Sequence, residues 1–244
     1  MPDSPTIPDV LYRYQALNAN SITNLVNRTV WFADPRTFND PFDCQLQLLM
    51  DPDRPTDEIP RVGHAIEDKL RSDPEIRRQL VRGLTDMIEH AGVVCLSKMR
   101  DQTLMWSHYA DEHRGFCMGF QPNGLGRSAT SRVEYCARES VLDLDRFKGS
   151  IGHIVGQVLC TKVSEWSYEQ EWRLIYRIEQ ESERARPWSE FMTLTAIYLG
   201  LKMPEQQKQT IRTIFKDDPD VTIHEMAQVP GQLAVRPKVV EGTS

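Results

Sequence analysis

Apolar positions recur along this chain with two periods, every second residue in some segments and every third or fourth in others. Together they predict interleaved strands and helices. "VLYRY" (10–14) predicts a strand, followed by a helix over "SITNLVNR" whose Ile22, Leu25 and Val26 share one face and which Asn20 or Ser21 can cap. "TVWFA" (29–33) predicts a second strand, and "DPRTFNDPFD" (34–43) an ordered turn. After the polar stretch "DPDRPTDEIP" come two helical segments. In the second, Ile76, Leu80, Leu84, Met87 and Ala91 recur at spacings of four and three, with Gly92 placed as a C-cap. "VVCLS" (93–97) predicts a short buried strand, "LMWSHYADEH" a short helix, and "GFCMGF" (115–120) a strand whose glycines mark close backbone approach. "SRVEYC" is a further strand, and Leu144, Phe147, Ile151, Ile154, Val155 and Val158 line one side of a helix. "EWRLIYRI" (171–178), "TLTAIYLG" (193–200) and "VTIHEMAQV" predict strands, with a helix over "PEQQKQTIRTIF" between the last two. The expected fold is α+β, with a mixed, mostly antiparallel sheet core. Residues 1–9, with Pro2, Pro5 and Pro8, read as a flexible tail, 10–229 as one domain with a helical insertion at about 55–91, and 230–244 as a loose tail.

Composition narrows the function classes. The 244 residues are 40% hydrophobic and 26% charged, which suits one domain of generous size. No apolar run approaches the roughly 18 residues of a membrane helix, and the N-terminus lacks a basic-then-apolar signal, so a soluble, cytoplasmic protein without a membrane partner is expected. Lys and Arg number 29 against 35 Asp and Glu, a net charge of −6. The balance argues against extended nonspecific contact with nucleic acid as the main function and leaves room for a local basic groove. Cys44, Cys95, Cys117, Cys136 and Cys160 are scattered without a CxxC pair and read as reduced, buried thiols.

Four segments hold more polar and aromatic groups than a core needs: "LYRY", "FNDPFD", "MWSHYADEHRGFCMGF" and "WSYEQEWRLI". If "YEQEWR" is strand, Glu169, Glu171 and Arg173 point one way and Tyr168, Gln170, Trp172 and Leu174 the other. The two carboxylates then stand about 7 Å apart, by a rise of ~3.3 Å per residue. That pair suits a reaction needing negative charge beneath a developing cation; alternatively Arg173 screens both acids on a solvated face. In "LYRY", Arg13 lies on the opposite strand face from Tyr12 and Tyr14, either as a phosphate clamp or as an edge arginine packing its stem over the core. "WSHYADEHRG" supplies Trp106, His108, Tyr109, Asp111 and His113. The two histidines do not share a helix face and complete no tetrahedral zinc set, so His108 is either a proton carrier or a structural hydrogen bonder. Asn39, Asp40 and Asp43 build a turn, or meet Glu169 and Glu171 around a divalent metal as in nucleases, although no lysine stands in the E-x-K position. No phosphate-cradling glycine loop, G-x-S-x-G elbow or Cys–His dyad occurs.

In order, these segments resemble the bacterial domain-of-unknown-function family 2971. Its pattern runs from a Y-[KR]-Y strand through F-N-D-P-F-[DE] and a W-S-H-Y-A…H-x-G-x-C-x-G-F block to W-x-Y-E-x-E-W-R. Here the matching stretches are Tyr12-Arg13-Tyr14, Phe38 to Asp43, Cys95-Leu96-Ser97, Trp106 to Phe120 and Trp166 to Arg173, spanning about 10–200. The order "LYRY … VVCLS … YEQEWRLI" is also similar to the arginine–serine–glutamate class of ADP-ribosyltransferases. That resemblance implies NAD as substrate, with Arg13 clamping its pyrophosphate or nicotinamide ribose and Ser97 orienting the site. Glu171 would bond the ribose 2′-hydroxyl and stabilise an oxocarbenium-like transition state, and Glu169 would activate the acceptor. Tyr109 or Trp106 would stack on nicotinamide, and Tyr12, Tyr14 and His108 would complete the NAD site. The chain departs from the class in having Leu96-Ser97-Lys98 for serine–threonine–serine, in lacking a glycine-rich NAD loop, and in the long span from Arg13 to Glu171.

Three functions follow. The first is an NAD-consuming ADP-ribosyltransferase-like enzyme or NAD glycohydrolase, of the kind a defence or toxin effector uses. It takes a small-molecule nucleotide, a protein or nucleic-acid acceptor and no metal, and it leaves the oligomeric state open. The second is a non-catalytic module recognising a protein or nucleotide, and the third a metal-dependent nuclease built on Asp40, Asp43, Glu169 and Glu171. The first requires Arg13, Ser97 and Glu171 in one cleft with Glu169 beside them. The third requires Asp40 or Asp43 within about 5 Å of the glutamates. The second expects an open, shallow patch without a strongly perturbed carboxylate.

Overall fold

The computed structural model describes residues 6–44, 73–137, 151–232 and 234–238. In chain order its elements are β1 (Leu11–Gln15), α1 (Ala19–Asn27), β2 (Thr29–Trp31), α2 (Pro74–Glu89), β3 (Ala91–Ser97), α3 (Thr103–Tyr109), β4 (Phe116–Pro122), α4 (Gly124–Ala129), β5 (Thr130–Arg132), β6 (Glu134–Cys136), α5 (Ile151–Val158), β7 (Thr161–Val163), β8 (Glu171–Arg177), β9 (Ala185–Pro187), β10 (Met192–Leu199), α6 (Glu205–Ile214), β11 (Thr222–Gln228) and β12 (Val235–Lys238). Eight strands form one sheet in the order β12-β11-β10-β4-β1-β3-β8-β5. Only β10 and β11 pair in parallel, so the sheet is mixed and mostly antiparallel, as the alternation of apolar positions implies. No helix among the described residues is long and apolar enough to cross a membrane.

Strand alternation sends side chains to two differently covered faces. Leu11, Val94, Leu96, Phe116, Met118, Phe120, Trp172, Leu174, Ile197 and Leu199 form the main core with Leu25 of α1, Phe32, Phe191 and Ile211 of α6. On the other face, Met105, Trp106 and Ala110 of and after α3 pack against Tyr14, Cys117, Ala196 and Tyr198. Further along that face, Leu84 and Ile88 of α2 and Val155 and Val158 of α5 pack against Ala91 and Ile175. The sheet between these two helical covers carries Tyr12, Cys95, Ser97, Glu171 and Arg173, because Tyr12 pairs with Ser97, Ser97 with Glu171 and Cys95 with Arg173.

β1 and β3 are paired only at Tyr12↔Ser97. Beyond that point they part, and Ala33 takes the vacated edge of β3, exchanging 2.9 Å hydrogen bonds in both directions with Val93. The parting opens the sheet beside Arg13.

Several local expectations are corrected. The cap of α1 is Asn18, not Asn20 or Ser21; its side chain accepts from the Ser21 N–H while Ser21 Oγ accepts from the Asn18 N–H, a reciprocal capping box. "SRVEYC" is two short strands in different sheets, β5 beside β8 and β6 beside β7. Within the expected loose tail 230–244, Val235–Lys238 form β12 on β11, and within the expected flexible tail 1–9, Ile7 packs on the main core. Of the expected insertion, α2 is described and residues 55–72 lie outside the described residues. Leu144 and Phe147 lie outside them as well.

Gly126, in the first turn of α4, meets a close approach: a Cβ there would stand 1.8 Å from the Phe191 carbonyl oxygen. That carbonyl cannot retreat, because it accepts from Asn123 N–H at 2.9 Å. Gly126→Ala is expected to cost roughly 1–3 kcal/mol, read as a lowered urea midpoint with an unchanged slope.

Candidate functional site

A cavity of about 420 Å³ opens on the sheet between the helical covers, lined by residues from every segment singled out above, among them Tyr12, Arg13, Ser97, His108, Tyr109, Glu169 and Glu171. This lies within the usual range for small-molecule sites, roughly 300–1,000 Å³. Its floor is a buried charged cluster. Asp43, Lys162, Glu169, Glu171 and Arg173 are exposed by 2%, 6%, 2%, 4% and 0%. Burial at that depth is tolerable only when charges are paired and hydrogen-bonded.

They are. Arg173 grips Glu171 through Nε at 2.8 Å and Nη2 at 3.0 Å, and Asp43 through Nη1 at 2.9 Å and Nη2 at 2.6 Å. Its Nη1 also donates to the Leu159 carbonyl at 2.7 Å, and the Phe38 ring covers the guanidinium at 5.2 Å. Lys162 Nζ donates to Glu169 at 2.7 Å and Glu171 at 3.4 Å and lies 3.5 Å from Asp43. Glu169 completes its contacts by accepting from Tyr109 OH at 2.6 Å. Among the described residues, three carboxylates thus face two cations, leaving one excess negative charge.

The two glutamates titrate in opposite senses. Burial pushes both carboxyls up. At Glu171 the Arg173 guanidinium, its hydrogen bonds and Lys162 overcome burial and hold the pKa down to about 2. At Glu169 burial and the neighbouring Glu171 outweigh Lys162, and the carboxyl stays above its ordinary value. The thiols around the cluster are inert: burial raises Cys44 and Cys95 well above the ordinary value and Cys160 to about 12.

Glu169 does not lie on a strand with Glu171, contrary to the alternation reading. It ends a 3-10 segment, Ser164–Glu169, and Gln170 turns left-handed at φ 44° before β8 begins. Ser97 pins this turn: its hydroxyl donates to the Glu169 carbonyl at 2.6 Å and accepts from Met99 N–H at 3.0 Å. Ser97 thereby holds the backbone turn at Glu169, and its hydroxyl proton is spent on that carbonyl.

Arg13 is half-buried, and burial lowers its pKa, opposed by the field of Cys95. Alternation directs it away from the face of Tyr12 and Glu171, yet at the parting of β1 and β3 it lines both this cavity and a second cleft of about 480 Å³ with Asn18, Asn20, Asn24 and Trp31. Among the described residues its side chain makes one hydrogen bond, a long one of 3.4 Å to the Trp31 carbonyl, and pairs with no carboxylate.

The other candidates divide. His108 is exposed at the rim, Nδ1 2.9 Å from Tyr168 OH. Tyr14 reaches the cavity wall, but its hydroxyl is spent on the Met99 carbonyl at 2.7 Å. Trp106 does not reach the cavity as a stacking surface: it is fully buried, edge-on to Tyr14 and stacked on His113, with Nε1 donating to the Arg100 carbonyl. Asp40 stays in its own turn, accepting from Phe42 N–H, and Asn39 reaches only Tyr109 OH at 3.5 Å. Asp43 meets the glutamates through Lys162 and Arg173, not across an open point, and no cluster suited to hold a metal occurs among the described residues. Asp111, Glu112 and His113 form a left-handed turn, φ 47°, 51° and 72°, that ends α3 just after Tyr109.

Lys162 escaped the sequence reading. Its signal was a lone lysine in "LCTKV", a short segment otherwise without charge.

No curated protein and no solved structure matches the chain. Residues 105–141 match the model of a family described as "Protein of unknown function (DUF2971)". The resemblance to that family is therefore borne out over the stretch from α3 through β6, which carries Trp106, His108 and Tyr109, and the family's description states no activity.

Proposed function

We propose that the chain is an NAD-consuming enzyme of the ADP-ribosyltransferase type, which splits the nicotinamide–ribose bond and passes ADP-ribose to water or to an acceptor. The observation that carries this reading is the gathering of Tyr12, Arg13, Ser97, Tyr109, Glu169 and Glu171 around one cavity. A half-buried guanidinium that no carboxylate among the described residues pairs with asks for an anion. A dinucleotide laid across β1, with one half in each cleft, would bring its pyrophosphate to Arg13. The opposed titration of Glu169 and Glu171 favours this reading over a passive binding module.

The roles differ from those implied by the resemblance. Glu171 is committed to Arg173 and Lys162, so Glu169 is the better partner for a ligand, each of its oxygens keeping acceptor capacity. In the reaction the C1′–N bond breaks and its electron pair leaves on the pyridine nitrogen, so nicotinamide departs neutral. Positive charge develops at C1′ above the excess negative charge of the cluster. The hydroxyl of water or of an acceptor bonds to C1′, and its proton passes to Glu169.

Nicotinamide release from NAD, followed by chromatography, tests the reading. Wild type is expected to release it, and Arg13→Ala to raise KM roughly 10–100-fold with a smaller change in kcat, the loss of one charge-assisted contact. Absence of both NAD binding and release overturns the proposal in favour of the non-catalytic module.

A further inference from the structure

Lys162 belongs to none of the segments that suggested a function, and it reaches the site from outside the large sheet. It lies on β7, whose parallel pairing with β6 sets it beside Tyr135, and Tyr135 OH in turn accepts from the Glu171 N–H at 2.8 Å. Its Nζ stands 4.8 Å from the centre of the Trp166 ring, and its three protons face three carboxylates.

We infer that Lys162 is a positioning residue of this site: it holds Glu169 as an ionised carboxylate turned toward the cavity and so sets the pH below which the site fails. The kinetic part rests on the NAD-consuming reading, and the titration part does not. Several of the described elements around Glu169 contribute a group to this balance. β7 gives Lys162, β8 gives Glu171 and Arg173, α3 gives Tyr109, the turn after β2 gives Asp43 and β6 gives Tyr135, while Tyr168 precedes it on its own segment. Of the cations, Arg173 is committed to Glu171 and Asp43. Among the described cations, Lys162 alone touches Glu169. Without it three carboxylates share one guanidinium, and the next proton goes to the acid whose affinity for it is already raised, Glu169.

The test is a carbon-13 NMR titration of the Glu169 carboxyl in wild type, Lys162→Met and Lys162→Arg, with the pH profile of nicotinamide release beside it. In Lys162→Met the Glu169 midpoint is expected to move up by roughly 1–3 pH units, and the acid limb of turnover to move with it. Lys162→Arg is expected to stay near wild type. A folded Lys162→Met whose Glu169 titrates as in wild type overturns the inference. Should the methionine variant fail to fold, the arginine variant decides, because a large upward shift there shows that the cation is not what sets the midpoint. If wild type releases no nicotinamide, the proposed activity falls while the titration still decides the role of Lys162.

Discussion

Arg173→Met is expected to lose 3–5 kcal/mol of stability, about the cost of leaving a buried charge unpaired, and so most of the margin of a domain whose total stability is roughly 5–15 kcal/mol. The guanidinium is fully buried and satisfies Glu171, Asp43 and the Leu159 carbonyl at once. Arg173→Lys is expected to recover little, since three ammonium protons on a shorter reach cannot replace the four hydrogen bonds the planar fork makes to Glu171 and Asp43. The pH dependence identifies the cause. In wild type the depressed Glu171 carboxyl contributes stability that is present above its ordinary value of 4.5 and lost as pH falls toward about 2. In Arg173→Met the sign reverses: Glu171 is then buried without its main cation, protonation relieves it, and the deficit narrows as pH falls. Urea unfolding at several pH values reads this directly. A deficit that does not change with pH would mean that Arg173 acts by packing alone.

Glu169→Gln is expected to lower kcat for nicotinamide release by about 10²–10⁴-fold with KM little changed, while the thermal midpoint moves by only a few degrees. Stability survives because the substitution leaves two carboxylates, Asp43 and Glu171, against two cations, Lys162 and Arg173, all still in contact. Glu171→Gln is expected to behave otherwise, since both cations lose a partner and the fold weakens with the activity. The contrast separates the carboxylate that meets the ligand from the one that holds the floor. If Glu169→Gln turns over NAD like wild type, the assignment of roles is wrong.

The large sheet was legible from alternation because β1, β3, β8 and β10 each bury one face or both against a helical cover, and apolar spacing records burial. The gathering of "LYRY", "VVCLS" and "YEQEWR" followed from those strands standing side by side. Three features left no such trace. Glu169 was read onto a strand because a 3-10 turn and a single left-handed glutamine have no hydrophobic period. Trp106 was read as a ligand surface because a buried tryptophan whose N–H finds a carbonyl looks, in sequence, the same as an exposed one. β12 was missed because "VRPK" is short and holds a proline, which an edge strand accepts and a sequence pattern discounts. The charged floor was half visible: its acids stood in named motifs, whereas Lys162 joins them only through a small second sheet.

A crystal structure of Glu169→Gln soaked with NAD tests the central claim most directly. Nicotinamide ribose is expected in the cavity, with C1′ facing residue 169 and the pyrophosphate on Arg13. NAD bound elsewhere, or a cavity left empty at saturating NAD, would contradict it.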